Sequence, residues 1–253
     1  MHGKVAIVTG ASSGIGRAAA EIFANKGFTV VAVGRNEKEL TALSKSIESK
    51  RGSIKPHLAD VTEMSQLERI ASETVHNYGQ IDVLVNSAGI IKNGNIENTT
   101  LDDWDKMLNI NLRSVFVLSQ KCVPYLAETR GNIVNVSSVA GTRSFPNVLA
   151  YCVSKAAIDQ LTRCSALELA SKRIRVNAVN PGVVVTNIHK RGGMEDSAYD
   201  AFLEHSKETH PIGRVGTPQE VAELIYFLAS DKAGWITGAT YEIDGGRAQT
   251  CAR

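Results

Sequence analysis

Short apolar runs alternate with longer amphipathic stretches along almost the whole chain. Seven runs have the length and the β-branched content of strands: 5–8, 28–33, 54–59, 81–85, 132–136, 174–179 and 241–243. Most of them are apolar at consecutive positions, which is typical of parallel strands covered by helices on both faces. The pattern therefore predicts a parallel sheet.

Apolar residues at helical spacing fill the gaps between these runs. The predicted helices are 15–26, 37–50, 63–78, 101–128, 149–171 and about 217–230. Pro124 lies inside the fourth helix, and we expect a bend there because proline removes an intrahelical hydrogen bond. Thr217, Pro218 and Glu220 have the pattern of a capping box with proline at the first helical position, which predicts where the last helix begins.

This alternation predicts a doubly wound α/β fold, a seven-stranded parallel sheet of Rossmann type with helices on both faces. The rhythm breaks at about 183–211, which is polar, charged and contains two adjacent glycines. We interpret this segment as a substrate-loop insertion with one or two short helices. Because no linker or repeat interrupts the chain, we expect residues 1–253 to form a single domain.

Composition and charge exclude several classes of function. Lys and Arg number 28 and Asp and Glu 26, which gives a formal net charge of +2. A nucleic-acid groove needs clustered cations, so no nucleic-acid partner is expected. We also expect no membrane span, because no run has about 18 apolar residues. The N-terminus lacks the pattern of a signal or transit peptide. The cysteines form no Cys-x-x-Cys pair, so we expect a cytoplasmic protein without a metal site.

The first predicted strand leads into a glycine-rich turn, Thr9-Gly-Ala-Ser-Ser-Gly-Ile-Gly16, that opens the first helix. Glycines let the backbone approach a pyrophosphate closely, and a helix N-terminus offers free N–H groups. A tight turn without a ligand is the alternative. The first strand–helix turn of a doubly wound sheet is, however, where such folds bind nucleotides. The turn therefore predicts a dinucleotide site, although its spacing is not Gly-x-Gly-x-x-Gly.

Tyr151 and Lys155 lie four positions apart on a predicted helix and therefore share a face. A free tyrosine has a pKa of about 10, and a nearby cation favours the phenolate. The two residues are a candidate general acid/base, although this spacing alone also fits an ordinary surface pair. Ser138 follows a predicted strand, where doubly wound folds bind ligands, and its alternative role is a cap or turn. Asn111 lies on an apolar helical segment, where a structural hydrogen bond is the alternative role.

Together these motifs resemble the short-chain dehydrogenase/reductase family over about residues 3–246. The motifs occur in the family's order: the turn at 9–16, Asn86-Ser-Ala-Gly89, Asn111, Ser138, Tyr151 with Lys155, and Asn180-Pro-Gly182. The resemblance implies an enzyme that interconverts a ketone and a secondary alcohol by hydride transfer with a nicotinamide cofactor. No metal takes part in this chemistry.

The resemblance also implies a role for each catalytic residue. Tyr151 would exchange a proton with the substrate oxygen, and Ser138 would hold and polarise that oxygen. Lys155 would bind the ribose of the nicotinamide and lower the pKa of Tyr151. Asn111 would hold a water that links Lys155 to solvent.

A larger set of residues is implied to bind the cofactor. These are Gly10, Ser12, Ser13, Gly14, Ile15, Gly16, Arg17, Arg35, Asp60, Val61, Asn86, Ala88, Gly89, Tyr151, Lys155, Pro181, Gly182, Val184 and Thr186. Position 34, where NAD enzymes often have an acidic residue, is glycine, and Arg35 follows it. A guanidinium can pair with a 2′-phosphate, and Arg17 would add a second cation. We expect NADP(H) rather than NAD(H); the alternative is that both arginines are solvated surface residues.

The substrate is less sharply predicted. Ile188, Met194, Tyr199 and Phe202 are candidates to line an apolar pocket for a lipophilic carbonyl or alcohol, although ordinary packing would explain them equally well. A second resemblance, to 3-oxoacyl-carrier-protein reductases, implies that surface cations such as Arg130 and Lys172 bind a carrier protein's phosphopantetheine arm. A catalytically silent nucleotide-binding regulator is the alternative from another class. The family also implies a homotetramer.

Overall fold

The computed structural model describes residues 3–47 and 51–250. It contains a seven-stranded, entirely parallel sheet with strand order β3-β2-β1-β4-β5-β6-β7. The strands are β1 (Val5–Thr9), β2 (Thr29–Gly34), β3 (Ser53–Leu58), β4 (Val83–Asn86), β5 (Asn132–Val136), β6 (Arg175–Pro181) and β7 (Thr240–Ile243). All seven predicted strands are present, which confirms the predicted fold class.

Helices connect the strands on both faces of the sheet. They are α1 (Gly14–Asn25), α2 (Glu37–Ser46), α3 (Met64–Tyr78), α4 (Leu101–Leu108), α5 (Ser114–Thr129), α6 (Leu149–Leu169), α7 (Ile188–Arg191), α8 (Asp196–Thr209) and α9 (Pro218–Ala229). The predicted capping box of α9 is present, since the Glu220 amide donates to the Thr217 hydroxyl at 3.3 Å. The predicted end of the second helix, at 48–50, lies outside the described residues.

The single long helix predicted over 101–128 is divided into two helices in the structure. A π-helical turn, Asn109–Arg113, separates α4 from α5. In this turn the Ser114 amide bonds to the carbonyl of Asn109, five positions earlier. Helix α5 continues through Pro124 to Thr129, and the bend expected at Pro124 stays a prediction. Single π turns inside α-helices are often found at functional sites.

Alternate residues of the strands point to opposite faces of the sheet and pack into two hydrophobic layers, one on each face. Along β1, Ala6 and Val8 pack with α1, α2 and α9, whereas Ile7 packs with α3 and α5 on the other face. This two-sided burial explains why the inner strands are mostly apolar on both faces, with buried polar residues such as Asn135 and Asn177 as exceptions. The edge strand β3 differs, because Lys55 and Pro56 are exposed.

The parallel arrangement places all strand carboxyl ends at one edge of the sheet. The chain moves outward from β1 to β3 and then restarts on the other side of β1 at β4. Loops that follow β1 and β4 therefore diverge and leave a crevice, the place where doubly wound folds bind ligands. The segment at 183–211, which follows β6 at the same edge, contains α7 and α8, in agreement with the one or two helices predicted there.

Candidate active site

A cavity of about 1330 Å³ follows this edge of the sheet. Nearly all predicted catalytic and cofactor-binding residues line it: Gly10, Ser12, Ser13, Gly14, Ile15, Gly16, Arg17, Arg35, Asp60, Val61, Ala88, Gly89, Ser138, Tyr151, Lys155, Pro181, Gly182, Val184 and Thr186. Asn86 and Asn111 are absent from this lining. The structure therefore brings the glycine-rich turn and the Tyr151–Lys155 pair into one cavity.

The glycine-rich turn is packed too closely for side chains at two of its positions. A Cβ atom on Gly10, whose φ is +67°, would lie 2.8 Å from the Ser87 carbonyl oxygen. A Cβ on Gly16 would lie 2.5 Å from the Gly10 carbonyl oxygen. No side chain caps the N-terminus of α1, which opens into the cavity. Bare backbone and a helix N-terminus of this kind fit the pyrophosphate of a dinucleotide.

Buried polar contacts hold the strand ends in place beneath the cavity. The Thr9 hydroxyl accepts hydrogen bonds from the amides of Ser87 and Ala88 at 3.0 and 3.1 Å. The Asn86 amide donates to Asn135 Oδ1 at 2.9 Å, which ties β4 to β5. Asn86 is 3% exposed, so the structure assigns it to the support of the cavity rather than to its wall.

Asn111 lies in the π-helical turn and is 1% exposed. Its Oδ1 accepts from the Ile90 amide at 2.9 Å, and its Nδ2 donates to the Ile90 carbonyl at 3.0 Å and to Ser154 Oγ at 3.0 Å. The side chain thus pins the cavity-lining segment that follows β4. The structural hydrogen bond considered for Asn111 is present, and the water link to Lys155 stays a prediction.

Tyr151, Ser138 and Lys155 converge from the first turns of α6 and the end of β5. The Lys155 Nζ lies 5.6 Å from the centroid of the Tyr151 ring and donates to the Val136 carbonyl at 2.8 Å. The Ser138 Oγ accepts from the Ala140 amide at 3.1 Å. An oxygen that already accepts keeps its own proton free to donate into the cavity.

Burial dominates the protonation of this group. It raises the pKa of Tyr151, and the Ser138 hydroxyl beside it lowers that pKa by less. Burial also lowers the pKa of Lys155 to about 8. The lowering of the Tyr151 pKa by Lys155 stays a prediction, since desolvation is the largest cause of the shift in this structure. At neutral pH the phenol is protonated, which is the form that donates a proton.

A buried carboxylate, Asp159, lies behind Lys155 and was missed in the sequence. Its Oδ2 accepts from Asn180 Nδ2 at 2.8 Å, and the same amide donates to the Ser138 carbonyl at 3.1 Å. Burial raises the pKa of Asp159, and its charge raises the pKa of Lys155. The four-residue spacing of Tyr151, Lys155 and Asp159 on one helix is the signal that would have indicated it.

Arg17 and Arg35, the two arginines predicted near the cofactor, differ in their ion pairs and in the exposure of their side chains. Arg17 forms ion pairs with Glu21 at 3.1 Å and with Glu39 at 3.2 Å. Arg35 has a 66% exposed side chain and, among the described residues, a single ion pair, with Asp60 Oδ2 at 3.4 Å. Both arginines are thus paired with carboxylates, and Arg35 has the longer contact and the more exposed side chain.

Two of the four predicted substrate residues reach the cavity. Ile188 and Phe202 line it, but Met194 and Tyr199 do not. Tyr199 is 5% exposed and is absent from the cavity lining. Its hydroxyl donates to the Thr186 carbonyl at 2.8 Å and accepts from the Thr186 amide at 3.2 Å. This part of the cavity contains further residues that sequence analysis missed: Ile91, Phe145, Val148, His189 and Arg247.

Arg130 and Lys172, the two cations suggested to bind a carrier protein, lie at the edge of the sheet opposite the cavity. Arg130 precedes β5 and Lys172 precedes β6, whereas the cavity opens where those strands end. Each strand of five to seven residues is about 16–23 Å long, so these side chains are separated from Tyr151 by the length of the sheet. Neither side chain therefore lies beside the cavity of its own subunit.

A single cavity that joins a glycine-rich turn at a helix N-terminus to Tyr151 and Lys155 is the arrangement expected of a nicotinamide-dependent oxidoreductase. The chain belongs to the short-chain dehydrogenase/reductase family: the family model described as enoyl-(acyl carrier protein) reductase matches residues 10–248. The protein is accordingly an NAD(P)(H)-dependent oxidoreductase that acts on alcohol and carbonyl groups.

Similar proteins have different substrates. The 3-oxoacyl-[acyl-carrier-protein] reductase FabG of Thermotoga maritima is 41% identical over 97% of this chain and 98% of its own length. The D-threitol dehydrogenase of Mycolicibacterium smegmatis is 38% identical over 97% of this chain and 93% of its own.

Solved structures agree with the fold. A cofactor-containing short-chain dehydrogenase/reductase of unknown function from Caenorhabditis elegans has a TM-score of 0.93 at 37% identity, covering 98% of this chain and 96% of that one. The aldohexose dehydrogenase of Thermoplasma acidophilum, in ligand-free form, has a TM-score of 0.88 at 34% identity, covering 99% and 96%. Within residues 3–47 and 51–250, no helix has the length and apolarity to cross a membrane.

Proposed function

We propose that the protein interconverts a ketone and a secondary alcohol with NADP(H), using Tyr151 as the general acid/base. The observation that carries this proposal is the single cavity lined by both the glycine-rich turn and the Tyr151–Ser138–Lys155 group. Its substrate end is mainly apolar, with Ile188 and Phe202 in the wall, which supports a carbonyl compound with a lipophilic body.

The nicotinamide, when bound, supplies or accepts the hydride. In reduction, the protonated Tyr151 gives its proton to the substrate oxygen, and in oxidation the phenolate takes it back. Ser138 donates a hydrogen bond to the same oxygen and stabilises the charge that develops on it. Lys155, whose ammonium donates to the Val136 carbonyl, would bind the ribose hydroxyls of the cofactor. Asn111 positions the loop at Ile90 by accepting a hydrogen bond from its amide.

The preference for NADP(H) rests on Gly34 and Arg35. A Cβ at position 34 would lie 3.5 Å from the Ser12 side chain, an ordinary contact, so packing does not exclude a larger residue there. No carboxylate projects from this position to accept a ribose 2′-hydroxyl or to repel a 2′-phosphate. The exposed Arg35 guanidinium supplies a planar fork for that phosphate.

A 3-oxoacyl thioester reductase is the second candidate, favoured by the 41% identical FabG relative. Because Arg130 and Lys172 lie at the opposite edge, a carrier protein that docks beside the cavity of the same subunit would use other cations. Reduction of acetoacetyl-coenzyme A with an efficiency above that of simple lipophilic ketones would favour this candidate.

A tetramer is the proposed assembly. Phe116 on α5 and Leu167 on α6 are 50% and 82% exposed, and Trp235 before β7 is 100% exposed. Exposed large apolar side chains on these elements are suited to contacts between subunits.

The function is tested by a panel of ketones, secondary alcohols and 3-oxoacyl thioesters, assayed with NADPH and NADH in parallel through nicotinamide absorbance. Turnover of ketones with NADPH at higher kcat/KM than with NADH is expected. Tight cofactor binding without turnover of any compound would contradict the proposal and favour a silent regulator.

A further inference from the structure

Arg247 is a cation at the substrate end of the cavity that the reaction described so far does not use. It follows β7 at the start of a short 3-10 turn, Arg247–Gln249, and lines the cavity together with Phe145 and His189. Its guanidinium carbon lies 4.8 Å from the centroid of the Phe145 ring. The guanidinium makes no hydrogen bond and no ion pair with the described residues.

The backbone that carries Arg247 is firmly held. Asp244 Oδ1 accepts from the Gly246 amide at 2.9 Å, and Asp244 Oδ2 accepts from the Ala248 amide at 2.6 Å. The Arg143 guanidinium donates to the Ala248 carbonyl from the other side. The carboxylate of Asp244 bonds to these backbone N–H groups and raises the pKa of Arg247 through space without forming an ion pair, while burial, the larger cause, lowers that pKa; the Arg247 side chain lines the cavity.

Charge is distributed unevenly along the cavity. The acidic residues in its described lining are Glu37, Glu39 and Asp60, which all lie beside the carboxyl ends of β2 and β3. At the other end, Arg247 contributes to lowering the pKa values of His189 and His210, while burial is the larger cause. A half-buried guanidinium has lost part of its hydration, and a fixed anion is the group that best replaces it.

We propose that Arg247 binds an anionic oxygen group of the carbonyl substrate, a carboxylate or a phosphate. The substrate then has a carbonyl at Tyr151, an apolar body against Ile188 and Phe202, and an anionic end at Arg247. The fork of the guanidinium matches the two oxygens of a carboxylate, and the Phe145 ring contacts the guanidinium from one side. This inference rests on the proposed function and names the substrate class of the same site.

The test uses matched pairs of substrates with NADPH. One arm compares straight-chain methyl ketones that end in a carboxylate, with two to five methylene groups between the carbonyl and the carboxylate, with their methyl esters. The other arm compares dihydroxyacetone phosphate with dihydroxyacetone. In at least one arm, we expect the charged member to have a kcat/KM about tenfold or more above its neutral partner, as expected for one charge-assisted pair.

Arg247→Leu should reduce this charged-to-neutral ratio at least about tenfold, mainly through KM, and Arg247→Lys should restore part of it. Arg69→Gln is the control, because Arg69 is exposed on α3, pairs with Glu73 and is absent from the lining of the cavity. Calorimetric binding of hexanoate and of inorganic phosphate to the NADPH-loaded protein gives a readout independent of turnover. One of these anions should bind to the wild type and be lost in Arg247→Leu.

The outcomes separate this inference from the proposed function. Equal kcat/KM for charged and neutral partners in both arms, unchanged in Arg247→Leu, would overturn the role of Arg247 and leave the ketone reductase standing. Absence of turnover of every compound, with hexanoate or phosphate still bound through Arg247, would contradict the proposed reaction and retain the anion site. Equal anion binding by the wild type and Arg247→Leu would overturn the site itself.

Discussion

At the scale of single residues, desolvation sets the protonation of the catalytic group. Lys155 is buried and Tyr151 half-buried beside the cavity, and desolvation moves their pKa values in opposite directions, up for the phenol and down to about 8 for the ammonium. A buried group favours its neutral form. The apo protein is thus set to donate a proton.

Tyr151→Phe tests the proton transfer directly. The substitution removes the hydroxyl but keeps the ring above Lys155, so kcat should fall by about 10²–10⁴-fold or more. Affinity for NADPH, measured by fluorescence titration, should change little. Turnover close to the wild-type rate would remove Tyr151 from the mechanism.

Arg35→Asp tests the cofactor preference. It replaces a cation by a carboxylate that accepts from a ribose 2′-hydroxyl and repels a 2′-phosphate. The ratio of kcat/KM for NADPH over NADH should fall by about tenfold or more. Arg69→Asp, on the exposed face of α3, is the matched control. An unchanged ratio in Arg35→Asp would show that this guanidinium does not select the cofactor.

At the scale of elements, periodicity predicted the strands and most helices because apolar spacing is a local property of the chain. The π-helical turn was not predicted, because one changed hydrogen-bonding step within a long helical segment is too local to be recognised from the spacing of apolar residues. Met194 and Tyr199 were placed wrongly because the faces of α7, α8 and their connection depend on tertiary packing. The position of Arg130 and Lys172 was available in the sequence, since both precede predicted strands.

His210 joins two elements and makes their contact dependent on pH. Its Nδ1 lies 2.5 Å from the Ser206 carbonyl in α8, and its Nε2 accepts from the Val183 amide after β6 at 3.1 Å. A carbonyl only accepts and an amide N–H only donates, so the ring is neutral with its proton on Nδ1. Burial lowers the pKa of His210, in agreement with this arrangement.

His210→Gln should therefore lower the free energy of unfolding, by about 1 kcal/mol for a lost hydrogen bond, and by less at acidic pH. A histidine with a lowered folded pKa stabilises the fold fully above its unfolded pKa of about 6.5, and this contribution is lost as the pH falls. Urea unfolding at pH 7.5 and 5.5 measures the difference, with His205→Gln, exposed on α8, as control. A gap that widens on acidification would contradict the neutral assignment.

At the scale of the whole molecule, nucleotide-binding and catalytic residues alternate along the chain yet meet at one edge of one sheet. Thr9, Asn86 and Ser138 lie at or just after the carboxyl ends of β1, β4 and β5. These strands are parallel neighbours in the sheet, so the three residues lie at the same edge. The sequence therefore predicted the cofactor end of the cavity well. It predicted the substrate end poorly, because Phe145, His189 and Arg247 come from three separate loops.

Phe116→Glu tests the proposed tetramer. A charge on the exposed apolar face of α5 should weaken association between subunits. Light scattering after size exclusion should give about four times 27.2 kDa for the wild type and a smaller mass for the variant. Leu58→Glu, 58% exposed at the end of β3, is the control. A wild-type mass of one subunit would contradict the tetramer.

The one-sided placement of the cavity also determines how the enzyme can be attached to a support. The turn at Gly79 precedes β4 and so lies at the edge of the sheet away from the cavity. It is exposed, and a Cβ there would have no atom within 4 Å, although its φ of +83° favours glycine. A flexible peptide handle inserted beside this turn would hold the protein on a surface with the cavity mouth facing the solution.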